Sequence, residues 1–431
     1  MILLIYNYSQ EVRDLFYTDS IRKKLTINLS ENPIDLFEIG GSSTFEIYRT
    51  LSDEEIISES MEFSEALSEE TNFTFRSFSL PQLSVERVFE QYDFTGCACT
   101  CILTIYEQDR ETPAAYILLL DGYVLSDEAS EDRKTRKLTC ISSVSQILDK
   151  EVFSHINKNV YTVAGLLANA FSPFSIFKGE YNNYGTIDIY QITSASPQFN
   201  ELDYNVNFSN FQESYTYKDL LLDVIEALGC FCLFYKGNIS PVSGENYNFI
   251  NKDIILIRPN FNLGLLYPNN NVYPSNSAQY GLIYPLYSFA ENEYVTLSPS
   301  NKLPWYKKVA ISTKPNYPYN YFSVYIGNNR IFRFEGYHTN NNLEYTIKDN
   351  KLLEQADRDE IVYITGGITY MIYYLNFFRI KLEMPYLAYL QPGDSILIEN
   401  EWGTYVMPIV KVEVKGINSL NATVTCEFIT Q

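Results

Sequence analysis

Three cysteines, Cys97, Cys99 and Cys101, alternate along the chain, and in an extended strand alternate residues share one face. Three thiols side by side raise the question of a metal. The CxCxC spacing is not a zinc spacing, and the chain has only two histidines, His155 and His338, to complete such a set. The expectation is therefore that these cysteines are small buried hydrophobes. Cys230 and Cys232 alternate within another apolar run, and the same reading applies. Seven cysteines, an odd number, also argue against a disulfide framework. Nucleophilic chemistry would need Ser or Cys beside His and a carboxylate, and two distant histidines make that improbable. Glu54-Glu55 and Glu69-Glu70 are sequence neighbours in acidic runs and cannot face each other across a sugar ring. Asp188 and Glu383 are single carboxylates in strand-like segments that only folding could bring together. Asp394, in Pro392-Gly393-Asp394, reads as a turn carboxylate bonding nearby backbone. No phosphate-binding glycine loop, dinucleotide fingerprint, HExxH or GxSxG occurs. The expectation is a chain that is not an enzyme, with no catalytic residue, no cofactor and no metal.

The charge balance narrows the partners. Fifty-three carboxylates stand against 32 Lys and Arg, a net charge of −21. A surface that grips a duplex needs clustered cations, so specific nucleic-acid binding is not expected. An acidic wall does suit a passage that nucleic acid must traverse without sticking. The first six residues are apolar but too short for a signal peptide, and no apolar run approaches the ~20 residues of a membrane span. The chain is expected to fold in a cytoplasm.

The elements that would position these residues read mostly as strands. With 37 Tyr and 27 Phe in 431 residues, the chain can bury large cores and favours β-structure. In residues 1–154, short alternating runs at 1–8, 44–51, 72–78, 97–106, 116–125 and 136–141 predict a β-barrel domain, with a bend at Asp121-Gly122. The acidic stretch 52–70 reads as a solvated loop or short helix. Residues 155–260 change character. Thr162 can cap a helix whose apolar positions are Val163, Leu166, Leu167 and Ala170, and Ser172-Pro173 ends it. Thr216 with Asp219 forms a variant capping box before Leu221, Val224, Ile225 and Leu228, and Gly229 follows as the terminator. Strands at 230–235 and 254–257 complete an α/β module. Residues 261–304, rich in Asn, Pro, Tyr and Ser, show no period and read as an irregular extension. Residues 305–431 return to strands at 308–312, 321–326, 330–335, 377–384, 395–399, 405–415 and 422–429, with a helix expected at 360–375. The fold class expected is α+β, mostly β.

Several of these features, in this order, resemble the hub proteins of phage tails and related injection machines. That family includes siphophage tail-associated proteins, the late-control hub of contractile phages and the hub part of type VI spike proteins. The likeness begins with Leu120-Asp121-Gly122-Tyr123-Val124, a charged loop, and Arg136-Lys137-Leu138-Thr139-Cys140-Ile141. It continues through Tyr161–Leu167, and through the second helix and strand of the α/β module. It is most specific in Tyr345-Thr346-Ile347-Lys348-Asp349-Asn350-Lys351-Leu352-Leu353. After that come Met384-Pro385-Tyr386-Leu387 and Gln391-Pro392-Gly393-Asp394 before an apolar strand. The resemblance implies two tube-like β-barrels, at 1–154 and 305–431, flanking the α/β module and the extension. It also implies a homotrimer, a ring that joins the tail tube or distal tail protein to the tip and gates DNA passage. The lumen would hold the C-terminus of the tape-measure protein. Because the sequence stops soon after its closing strands, a separate fibre or spike protein is expected to dock beneath it. The location implied is the virion tail tip, assembled in the host bacterial cytoplasm. Rival expectations are a distal tail ring or adhesin, and a β-rich cell-wall polysaccharide hydrolase.

Overall fold

In the computed structural model, the residues described are 15–16, 21–30, 48–67, 76–108, 110–142, 144–171, 187–188, 205–228, 230–235, 238–241, 247–250, 254–259, 294–297, 307–311, 320–335, 343–356, 361, 376–387, 390, 392, 395–400, 403–418 and 421–430. The first seven strands are β1 (Ile21–Ser30), β2 (Arg49–Leu51), β3 (Glu62–Ala66), β4 (Gln82–Val88), β5 (Ala98–Glu107), β6 (Ala115–Ala129) and β7 (Thr135–Ser142). Helix α1 (Ser145–Leu148), strand β8 (Val160–Thr162), helix α2 (Val163–Phe171), strands β9 (Ile187–Asp188) and β10 (Asn205–Asn207), and helix α3 (Tyr217–Leu228) follow. Then come β11 (Cys230–Tyr235), β12 (Asn238–Pro241), β13 (Tyr247–Ile250), β14 (Ile254–Pro259), β15 (Tyr294–Leu297), β16 (Lys307–Ile311), β17 (Tyr321–Ile326), β18 (Asn329–Glu335) and β19 (Glu344–Ile347). The last four strands are β20 (Asn376–Pro385), β21 (Ser395–Asn400), β22 (Gly403–Lys415) and β23 (Asn421–Thr430).

The mostly β expectation holds, and one 13-stranded sheet dominates. Its main path runs β16-β20-β23-β22-β3-β4-β7-β6-β5-β1-β2, so the first and last parts of the chain are hydrogen-bonded to each other. Among the described residues this path is open, and no closed cylinder is traced by its hydrogen bonds. The joint is β3 against β22, with Phe63 opposite Val414 and Glu65 opposite Val412. One hydrophobic core lies behind it, shared by Leu25, Phe63, Leu103 and Leu138 from the early strands and Leu382, Val412 and Val424 from the late ones.

β3 corrects the reading of 52–70 as a solvated loop or helix. Met61, Phe63 and Leu67 are buried, and Phe63 alternates with exposed Glu62 and half-buried Ser64. Their spacing of two and four residues is a strand period, hidden in sequence by the acidic residues between them. β5 is buried along eight consecutive residues, so both faces of its alternation are inside. β6 runs unbroken through Asp121-Gly122 and on to Ala129, into the segment expected to be loop. Gly122 is nevertheless required. A Cβ there would sit 1.8 Å from the Ile141 carbonyl oxygen of β7.

Helices α2 and α3 and strands β11 and β14 form where the sequence places them. Gly165 N–H donates to Thr162 Oγ1 at 3.0 Å, which caps α2. At α3 the reciprocal box is complete, with Asp219 N–H to Thr216 Oγ1 at 3.1 Å and Thr216 N–H to Asp219 Oδ2 at 3.0 Å. β11 pairs antiparallel with β14, and β9 joins β14 in parallel. Within the stretch expected to be irregular, β15 pairs in parallel with β21 and so adds a strand to the late part of the sheet. The β17–β18 turn is Gly327-Asn328. Gly327 takes φ +57°, which favours glycine. The strand expected at 1–8, most of the expected helix at 360–375 and the terminators Pro173 and Gly229 lie outside the described residues.

Candidate functional site

The polar residues that converge in this fold lie around α3. The sequence makes α3 amphipathic, yet Asp223 and Glu226 are 1% and 3% exposed, as deep as Leu221, Val224 and Ile225. Two ionised carboxylates carry a desolvation cost of several kcal/mol each unless paired and hydrogen-bonded. Most of their partners come from far along the chain. Arg76 sets Nη2 3.0 Å from Asp223 Oδ1 and Nη1 3.4 Å from Glu226 Oε2. Tyr215 O–H and Lys351 N–H each donate to Asp223 Oδ2 at 3.0 Å. Tyr345 O–H donates to Glu226 Oε1 at 3.0 Å, and Asn350 Nδ2 donates to Glu226 Oε2 at 3.1 Å. Asp223 Oδ1 faces the Arg76 guanidinium without a well-aligned hydrogen bond.

The segment 345–353 is built to deliver these donors. Asp349 adopts φ 59°, the left-handed turn that Asp tolerates better than most residues. It presents Asn350, which is buried. Asn350 Oδ1 accepts from Leu352 and Leu353 N–H at 3.2 and 3.1 Å and so caps the short 3-10 turn Leu353–Gln355. Its Nδ2 also donates to the Asp223 carbonyl at 2.9 Å. Leu352 and Leu353 are then driven inside. The Asn and Leu pair singled out in the sequence thus has a physical role, since one amide side chain starts a turn and clasps α3. Gln355 accepts from Asn207 N–H, tying the turn to β10 as well.

One cation serves two buried anions. Burial pushes Asp223 up to about 7, and the Arg76 guanidinium opposes that rise. Burial also raises Glu226, against the pull of Arg76, Asn350 and Tyr345. Every carboxylate oxygen faces a partner, which is the geometry of a clamp and not of a substrate cleft. The sequence carried one clue. Asp219, Asp223 and Glu226 recur at i, i+4 and i+7, an acidic stripe with no basic residue at helical spacing to answer it.

A second buried ionic cluster sits in the early strands. Asp127, fully buried, accepts from Arg87 Nη2 at 2.7 Å, Arg136 Nε at 3.0 Å and Phe94 N–H at 3.0 Å. The Arg87 guanidinium also stacks over the Phe94 ring at 4.5 Å. These contacts pin the 89–97 connection onto β4, β6 and β7.

The residues weighed in the sequence fall as follows. Cys97, Cys99 and Cys101 are buried, as expected of small hydrophobes, and folding sets Cys140 of β7 beside Cys99 and Cys101. Glu55 pairs with Arg49 while Glu54 is exposed, so these neighbours diverge. His155 is exposed, with Nδ1 2.7 Å from Ser154 Oγ, and Ser154 also bonds the Glu151 carbonyl at 2.6 Å. Glu69, Glu70, His338 and Asp394 lie outside the described residues, as do the side chains of Asp188, Cys230 and Cys232. Among the described residues, no helix is long and apolar enough to cross a membrane.

No family model and no curated relative matches the sequence. Solved structures do match along nearly the whole chain. The tail protein from Neisseria meningitidis MC58 aligns with a TM-score of 0.50 at 8% identity, covering 94% of this chain and 96% of its own. The 43 kDa tail protein of prophage MuSo2 from Shewanella oneidensis aligns with a TM-score of 0.47 at 8% identity, covering 94% and 97%. The prophage tail protein gp18 from Listeria monocytogenes aligns with a TM-score of 0.40 at 10% identity, covering 94% of each chain. The chain therefore shares the fold of the Neisseria meningitidis tail protein.

Proposed function

We propose that this protein is the structural baseplate hub of a bacteriophage tail tip. Three copies form a ring that joins the tail tube and distal tail protein above to a separate fibre or spike below. The lumen holds the C-terminus of the tape-measure protein and later passes DNA. Each copy contributes two tube-like β lobes, residues 1–154 and 305–431, with the α/β module 155–260 and the extension 261–304 between them. The protein works in the virion, is assembled in the host cytoplasm and carries no enzymatic activity.

The observation that carries this reading is the fold it shares from end to end with a tail protein. Three physical features support it. The main sheet path ends on β2 and β16 among the described residues, and strand ends of this kind can add a neighbour's strand. The net charge of −21 suits a passage that must not retain nucleic acid. The buried polar clusters are spent on tying segments together, as in a load-carrying part. The test is electron cryomicroscopy of the assembled particle with the copies of this chain counted. Three around an open axis are expected. Six copies would make it a distal ring instead, and turnover of cell-wall polysaccharide by a monomer would overturn the structural reading altogether.

A further inference from the structure

The interior of the early strands contains a site that the sequence spacing conceals. Cys99 and Cys101 project from β5, and Cys140 projects from β7, with β6 between them. The three Sγ atoms lie within 4.8 Å of one another and all three residues are buried. Gly122 of β6 is paired to Cys99 on one side and Ser142 on the other.

We propose that Cys99, Cys101 and Cys140 form a binding site for a thiophilic closed-shell cation of the zinc(II) or copper(I) class. Sulfur ligands 2.3 Å from a tetrahedral or trigonal ion lie about 3.8–4 Å apart, within the 4.8 Å limit that holds for these three atoms. A donor set of three thiols and no carboxylate selects soft ions over magnesium, calcium or manganese. On binding, each sulfur gives a lone pair to the ion as its proton leaves to solvent, and no electron changes hands.

Because the three thiols are enclosed, the ion must enter before β5, β6 and β7 close, so loading is coupled to folding. The spacing rule failed here for a specific reason. It assumes ligands gathered by a local turn, whereas Cys140 arrives through sheet pairing about 40 positions later.

The full chain should be produced in medium supplemented with zinc(II), and separately with copper(I) under reductant, then desalted and assayed for metal. About one ion per chain is expected in at least one arm. Cys140→Ala and Cys101→Ala should each lower retention by more than about a hundredfold, since each removes a direct ligand and loss of an outer hydrogen-bond partner alone costs up to that much. Cys426→Ala, a buried cysteine outside the trio, should leave it unchanged. If the first two variants do not fold, X-ray absorption of the loaded wild type still decides. A shell of sulfur only, at about 2.3 Å for zinc, supports the site. Absence of metal in both arms, retention by Cys140→Ala, or a shell of nitrogen and oxygen would each overturn it and return the trio to ordinary core cysteines.

Discussion

At the scale of single residues, the buried carboxylates of α3 make the most pointed forecasts. Removing Arg76 strands two negative charges, and because its side chain is 31% exposed the loss is tempered by solvent. Arg76→Ala should cost on the order of 2–4 kcal/mol, read as a lower denaturant midpoint, and more at pH 8 than at pH 5. The sign follows from linkage. Asp223 is raised to about 7 in the folded chain, above its unfolded value, so between about pH 4 and 7 the folded state binds the extra proton. Its contribution is therefore greatest below that window and is lost as pH rises through 7. Asp223→Asn should remove this slope, so that the variant gains on the wild type between pH 5 and pH 8. An unchanged difference across that range would show that Asp223 does not titrate there. Gly122→Ala is harsher. Its Cβ would meet backbone at 1.8 Å, which no rotamer relieves. We expect at least ~3 kcal/mol of destabilisation, or failure to fold, against about 0.5 kcal/mol at an exposed strand position.

At the scale of elements, caps and periods behave as local chemistry should. The reciprocal bonds between Thr216 and Asp219 start α3, and Thr216→Ala should cost about 1 kcal/mol in thermal or chemical unfolding. α3 is also where the local pattern misleads. Its polar stripe suggests water, but the stripe is a docking face, because Arg76, Tyr345 and Asn350 supply the compensation that burial demands. β3 shows the opposite error. Five residues, two of them Glu, pass for a loop until β4 and β22 pair with either edge.

At the scale of the whole molecule, the β3–β22 joint is extended by further bonds. Leu67 N–H reaches the Val410 carbonyl at 2.9 Å, Gly416 N–H reaches Met61 at 2.8 Å, and Lys415 pairs with Glu62 at 3.0 Å. The early strands consequently share a core with the late ones. A fragment of residues 1–154 expressed alone exposes the β3 edge and half of that core, so it should aggregate. Co-expression with 305–431 should restore solubility and the two fragments should co-purify. A soluble, monomeric and cooperatively folding 1–154 fragment would show that the lobes are independent.

By itself the sequence determined what depends on neighbours a few positions away. It set the strand-rich character, the period of β5 and the caps at Thr162 and Thr216. Those signals are local because a side chain's period and its bond to a nearby backbone N–H need no distant partner. Only the tertiary structure decided which edges meet, that Arg76 neutralises α3, and that Cys140 stands beside Cys99 and Cys101. Such contacts join positions about 40 to 350 residues apart. They are chosen by the free energy of closing one core around buried polar groups, a quantity distributed over the whole chain and written at no single position.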